Sequence, residues 1–137
     1  MTDRVSFLSP AQSQMLGLFG KVVRDAWQEV PYQVGSSLVS GEIPRDIDVR
    51  VMISTEDFAQ RFPGTNVKRR HVCEQWRAQM MVWSDWGRHL TGLNIDFQVE
   101  PIEDANERFP TQERRPIGGR GDIPVLPSLL LPRRRKP

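Results

Sequence analysis

The chain has 137 residues, a length that favours one domain, with or without a tail, over two full domains. Its 19 Lys and Arg against 17 Asp and Glu leave a net charge of +2, but the charge is unevenly placed. Residues 111–137 carry seven basic side chains against Glu113 and Asp122, a surplus of +5, so residues 1–110 sum to −3. That excludes a body that binds polyanions by bulk charge. A single cysteine, Cys73, and two histidines, His71 and His89, exclude a disulfide framework, a Cys-clustered zinc centre and a His-rich metal site. No run approaches the ~18 apolar residues of a membrane span, and no secretory pattern opens the chain. A reducing, cytoplasmic setting without membrane attachment is expected.

Ser9-Pro10 followed by Gln12 reads as a helix start, with Ser9 as cap and Pro10 in the first turn. Met15, Leu18, Phe19, Val22, Val23, Ala26, Trp27 and Val30 then recur at helical spacing, and Pro31 is expected to end the helix. Tyr32-Gln33-Val34 reads as a short strand running into Gly35-Ser36. The clearest strand follows. From Asp46 to Ile53, Ile47, Val49, Val51 and Ile53 alternate with Asp46, Asp48, Arg50 and Met52, so both aspartates share one face.

Ser54 opens a brief helix that stops near Pro63-Gly64. A long helix is expected from about Arg70 to Leu90, with Val72, Trp76, Met80, Trp83, Gly87 and Leu90 as its inward stripe and Gly92 as C-cap. In Asn94 to Pro101, Ile95, Phe97 and Val99 face one way while Asn94, Asp96, Gln98 and Glu100 face the other. A last short helix covers about Asp104 to Phe109. Beyond Pro110 come five prolines, three glycines and clustered arginines without periodicity, which predicts an extended, disordered tail. The expected architecture is α/β (α+β): a small mixed sheet of three or more strands with helices packed on its apolar face. Residues 1–110 make the domain and 111–137 the tail.

Gly35-Ser36, Asp46-Ile47-Asp48 and Asp96 form one constellation. Carboxylates at i and i+2 of a strand point the same way, within reach of two divalent cations about 3.5–4 Å apart that stabilise an in-line displacement. Gly35 lets backbone approach a polyphosphate, and Ser36 adds a hydroxyl; Ser36 to Ser40 can form a turn whose amides face phosphate. Asp96, on the polar face of its own strand, can complete the metal site and accept a proton from an attacking hydroxyl. Mg²⁺ or Mn²⁺ suits such an oxygen-donor set.

Val34-Gly35-Ser36, nine intervening residues, then Asp46-Ile47-Asp48-Val49 and a later Asp96 resemble the signature of the DNA polymerase beta-like nucleotidyltransferase superfamily, in its minimal single-domain form. The resemblance covers about residues 10–100. It implies a mixed-sheet fold and metal-dependent transfer of a nucleoside monophosphate from a nucleoside triphosphate to a hydroxyl, with pyrophosphate released. It also implies that Asp46, Asp48 and Asp96 are catalytic and hold the metals, and that Gly35 and Ser36 hold the triphosphate. The acceptor is left open among protein, nucleic acid and small molecule, as are a protein partner and a homo-oligomer.

Two positions depart from the minimal members. Ser37-Leu38-Val39 stands where Arg-X-Arg is usual after the Gly-Ser, and Arg50 shares the aspartate face, where it either contacts phosphate or pairs with Asp48 or Glu100. These departures keep a second expectation alive, a catalytically weak or inactive binding and regulatory module. Elsewhere Lys68-Arg69-Arg70-His71 is expected to be a solvated face, Gln98 and Glu100 the exposed side of their strand, Trp86 a packing residue, and Cys73 a buried, inert thiol.

Overall fold

The structure is a computed structural model and describes residues 8–35, 46–108 and 114–119. Its elements run α1 (Pro10–Trp27), β1 (Pro31–Val34), β2 (Ile47–Ile53), α2 (Thr55–Arg61), a 3-10 helix (Val67–Val72), α3 (Glu74–Thr91), β3 (Ile95–Pro101), α4 (Ile102–Arg108) and β4 (Arg114–Pro116). The four strands form one mixed sheet in the order β3-β2-β1-β4, with β2 and β3 parallel and the other pairs antiparallel. This is the small α/β architecture that the alternation of strands and helices implied.

Local chemistry accounts for the helix starts. Ser9 and Gln12 form a reciprocal capping box at the head of α1, and Ser54 accepts from the Asp57 amide at the head of α2. The stop of α1 differs from expectation. The chain turns out at Gln28, in a left-handed conformation (φ 59°), so that Pro31 begins a strand rather than ending a helix. Likewise α3 begins at Glu74, after Cys73 caps it; Val72 belongs to the preceding 3-10 helix and is 56 % exposed instead of joining the stripe. Gly92 closes α3 at φ 71°, as expected of a C-cap.

The main core lies on the face of Ile47, Val49, Val51, Ile95, Phe97 and Val99, against Leu16, Phe19, Val23 and Trp27 of α1, Phe58 of α2, and Trp76 and Met80 of α3. Trp86 packs onto Phe19, with ring centroids 5.5 Å apart. β3 is an edge strand, a position that exposes unpaired backbone groups. Here α3 covers them. Ser84 Oγ accepts from the Phe97 amide at 2.9 Å, Met80 Sδ accepts from the Val99 amide at 3.1 Å, and Trp76 Nε1 donates to the Val99 carbonyl at 3.1 Å. Trp76 and Met80 of the helix stripe, with Ser84 beside them, thus close the sheet edge as well as filling the core.

The opposite face of the sheet changes character along its length. It carries a second apolar cluster of Val34, Met52 and Ala105 of α4, and next to Val34, its partner in the β1–β2 register, stands Asp48 with Asp96 beyond it. The sheet also extends beyond the expected boundary at residue 110. Arg114–Pro116 pair with β1, and Ile117 enters the core with 1 % exposure. Gly118 then lies on Gly20 of α1 so closely that a Cβ on Gly118 would stand 2.5 Å from the Gly20 carbonyl carbon. The expected tail thus contributes at least this segment to the fold, and the remainder of it lies outside the described residues. Among the described residues no helix is long and apolar enough to cross a membrane.

Candidate active site

Antiparallel β1–β2 pairing and parallel β2–β3 pairing bring three chain segments to one end of the sheet. Val34 pairs with Asp48, which places Gly35 beside the start of β2; Asp48 in turn stands directly opposite Asp96. Gly35 has φ 78°, a conformation side chains rarely adopt, and a Cβ there would meet Asp48 Oδ2 at 2.9 Å. The turn thus favours glycine, and a Cβ would also make the Asp48 carboxylate shift. Ser36, and with it the expected turn from Ser36 to Ser40, lies outside the described residues.

The aspartates differ in their surroundings. Asp48 is partly sheltered and Asp96 is open, with side-chain exposures of 24 % and 44 %. Burial pushes the Asp48 carboxyl above its ordinary value; the nearby Asp96 and Asp46 charges push the same way, while Arg50 opposes them. A hydrogen bond with Asp96 also favours the protonated form of Asp48. Asp46 precedes β2 on the exposed rim, where Asn94 Nδ2 donates to its Oδ1.

Arg50 lies inside the site and not on its rim. The residue is 3 % exposed. Its Nη1 donates to the Asp96 carbonyl at 2.7 Å and to the Val49 carbonyl at 3.1 Å. Its Nη2 stands 3.5 Å from Asp96 Oδ2 and 3.8 Å from Asp48 Oδ1, and its Nε 3.5 Å from Glu100 Oε1. Of the two roles left open by the sequence, phosphate contact or ion pairing, the side chain is engaged in the second.

Behind it lies a group that the sequence did not assign to the site. Glu100 was expected on the exposed side of β3 but is fully buried, because Arg70 and Arg108 both donate to its Oε1 at 2.9 Å. Arg70 also bonds Asp104 at 2.9 Å, and Lys68 bonds Asp104 at 2.7 Å. The basic run Lys68-Arg69-Arg70-His71 is therefore not uniformly a solvated face: Arg70 is 7 % exposed and locks the 3-10 helix to α4. The only local sign of this was the number of acids on β3 and α4 that an arginine could serve.

The donor set fits a hard divalent cation in part. Asp48 and Asp96 offer paired carboxylate oxygens with an open side, which suits Mg²⁺ or Mn²⁺. Yet among the described residues no group of three or more His, Cys, Asp or Glu side chains is arranged to hold a metal. Beside Asp96 a cavity of about 580 Å³ is lined by Trp76, Arg77, Met81, Arg88 and Gln98 among others. Fold and site together define a small mixed α/β domain with a carboxylate pair at one end of its sheet. Set against known protein families, curated proteins and solved structures, the chain matches none.

Proposed function

We propose that this protein is a minimal nucleotidyltransferase, transferring a nucleoside monophosphate from a nucleoside triphosphate to a hydroxyl acceptor. The observation that carries this reading is the register of Asp48 opposite Asp96, with Gly35 against Asp48 at the same end of the sheet. Gly35 leaves room for polyphosphate next to the carboxylates, a space that any Cβ would take. Asp96 is the more open of the pair and accepts the proton of the attacking hydroxyl as its oxygen bonds to the α-phosphorus. The bond from that phosphorus to the bridging oxygen breaks, and pyrophosphate leaves. A divalent cation bound by Asp48 and Asp96, with Asp46 at the rim, would supply charge neutralisation for the phosphates. The cavity beside Asp96 gives an acceptor or a base a place next to the reacting groups.

A second reading has its own observation. Arg50 already meets both carboxylates, which favours a nucleotidyltransferase-like module that binds a partner without turning over substrate. Calorimetric titration of the full chain with a nucleoside triphosphate, with and without Mg²⁺, separates the two. Binding that needs Mg²⁺ and is lost in Asp48→Asn supports the enzyme. No binding under either condition removes it and leaves the module.

A further inference from the structure

We infer that the outward face of α3 is the interface of a two-fold homodimer, in which α3 packs antiparallel on its copy with Met81 at the symmetry axis. This goes beyond the proposed chemistry and holds whether or not Asp96 is catalytic.

α3 turns Trp76, Met80, Ser84, Gly87 and Thr91 inward. The opposite side of a helix that meets only water is polar. Here its centre is apolar. Ala78, Met81 and Val82, at i, i+3 and i+4, are all exposed, Met81 and Val82 at 67 % each. Trp86, at 37 %, widens the strip. One exposed apolar side chain needs no explanation, but a contiguous strip on one helix marks an interaction surface. On its flank Val82 and Trp86 border an apolar recess of about 210 Å³, shared with Trp83 and with Val22 of α1.

The charges around the strip identify the partner as a second copy. Glu74 and Arg88 stand seven residues to either side of Met81, and Arg77 and Asp85 stand four to either side; all four are exposed. A two-fold axis through Met81 therefore sets Glu74 against the partner's Arg88 and Arg77 against the partner's Asp85, each pair occurring twice. A parallel pairing in register sets each charge against its own kind instead. The helix dipole accounts for Glu74 in the first turn and Arg88 in the last, but not for Arg77 and Asp85, whose order is the reverse. Among the described residues Arg77 and Arg88 make no ion pair. Asp85 has His89 at 3.7 Å, a charged partner only when that imidazole is protonated.

The same face reaches the candidate site. Arg77, Met81, Asp85 and Arg88 line the cavity of about 580 Å³ beside Asp96, so a second α3 lying on them closes its outer side. With 18 residues, about 27 Å, the helix offers an interface at the small end of specific ones, and a micromolar dissociation constant is expected.

The test is sedimentation equilibrium of the full chain from about 5 to about 300 μM, with circular dichroism melts establishing that each variant folds. The wild type is expected to reach twice the chain mass at the upper concentrations, and Met81→Asp to stay monomeric throughout. Arg77→Glu and Asp85→Arg should each weaken association about tenfold, and the two together should restore it, because the exchanged charges are again complementary across an antiparallel two-fold. A wild type that stays monomeric overturns the inference and leaves the face to another occupant. A dimer that survives Met81→Asp overturns it as well, since the copies then meet elsewhere. Single variants that weaken the dimer without rescue by the exchange overturn the antiparallel arrangement. A monomer that still transfers label leaves the proposed enzyme standing, so the two claims fail separately.

Discussion

Asp48 and Asp96 face each other across the parallel β2–β3 pair, and Arg50, one side-chain repeat further along β2, reaches back to both. Placing two like charges in direct register costs stability, and sheets ordinarily avoid it. Here the cost is visible in Asp48, whose carboxyl is held above its ordinary value of 3.8 by burial and by its acidic neighbours despite Arg50.

A pH dependence follows from that direction. A carboxyl whose folded pKa exceeds its unfolded one binds its proton more tightly in the folded state. Its contribution to stability is complete below the unfolded value and is lost as pH rises through the folded one. The wild type is therefore expected to lose stability relative to Asp48→Asn as pH climbs upward from 3.8. Thermal melts of both proteins across pH 3 to 8 check this. A difference in melting temperature that does not change with pH contradicts it.

Gly35→Ala tests the close approach between β1 and β2. The positive φ of 78° and the 2.9 Å approach to Asp48 Oδ2 act together, so a loss of about 1–3 kcal/mol is expected. Urea unfolding measures it. Because the clash is with a carboxylate, Asp48→Asn does not relieve it, whereas Asp48→Ala removes the contacting atoms and should recover part of the loss; full additivity of Gly35→Ala with Asp48→Ala would contradict the contact.

The buried acid Glu100 is the strongest structural prediction. Replacing it with alanine takes one of two acidic partners from Arg70, whose side chain is 9 % exposed and which keeps Asp104, and takes a partner from Arg108 and Arg50. Breaking a buried pair on one side costs about 3–5 kcal/mol. By contrast Lys68→Ala removes an exposed partner of Asp104 and should cost about 1 kcal/mol or less, since Arg70 remains on that acid. Equal effects of the two substitutions in denaturant melts would mean that Glu100 is not the anchor of this network.

How far the sequence could reach is visible in these same residues. The alternation from Ile47 to Ile53 and from Ile95 to Val99 is local, and period two alone assigned their faces. Asp46, Asp48 and Asp96 were recognisable by the same rule, because each strand's polar side is fixed once its apolar side is known. What the pattern does not carry is the register between strands. Nothing local says that Asp96 stands opposite Asp48, or that Arg50 points back along β2. Glu100 and Arg70 escaped for a related reason: each was polar where polarity normally means exposure, and only the three-dimensional meeting of β3, α4 and the 3-10 helix pairs them. Arg114 to Gly119 were hidden by composition, since a segment rich in Arg, Pro and Gly carries no strand signal. Its place is set by Ile117 and by the fit of Gly118 on Gly20.

Cys73 offers an independent check on α3. It was expected to be a buried, inert thiol but is only partly buried and caps the helix. The Thr65 hydroxyl donates to its sulfur at 3.1 Å and, with the Trp76 and Gln75 amides, holds its pKa below the ordinary thiol value. Alkylation by iodoacetamide at pH 7.5 is expected to be faster than for an unstructured cysteine peptide, and slower again in Thr65→Ala. A rate in Thr65→Ala equal to the wild type would remove the hydroxyl from the account.

The central claim is that the Asp48–Asp96 pair serves transfer chemistry. Its most direct test is to incubate the full chain with α-labelled nucleoside triphosphates, Mg²⁺ and hydroxyl acceptors, including the protein itself, RNA and small alcohols. The account predicts label on an acceptor, with pyrophosphate released in equal amount, and a loss of about a hundredfold or more in Asp48→Asn and in Asp96→Asn. Absence of transfer to every acceptor, or transfer that survives both substitutions, contradicts it.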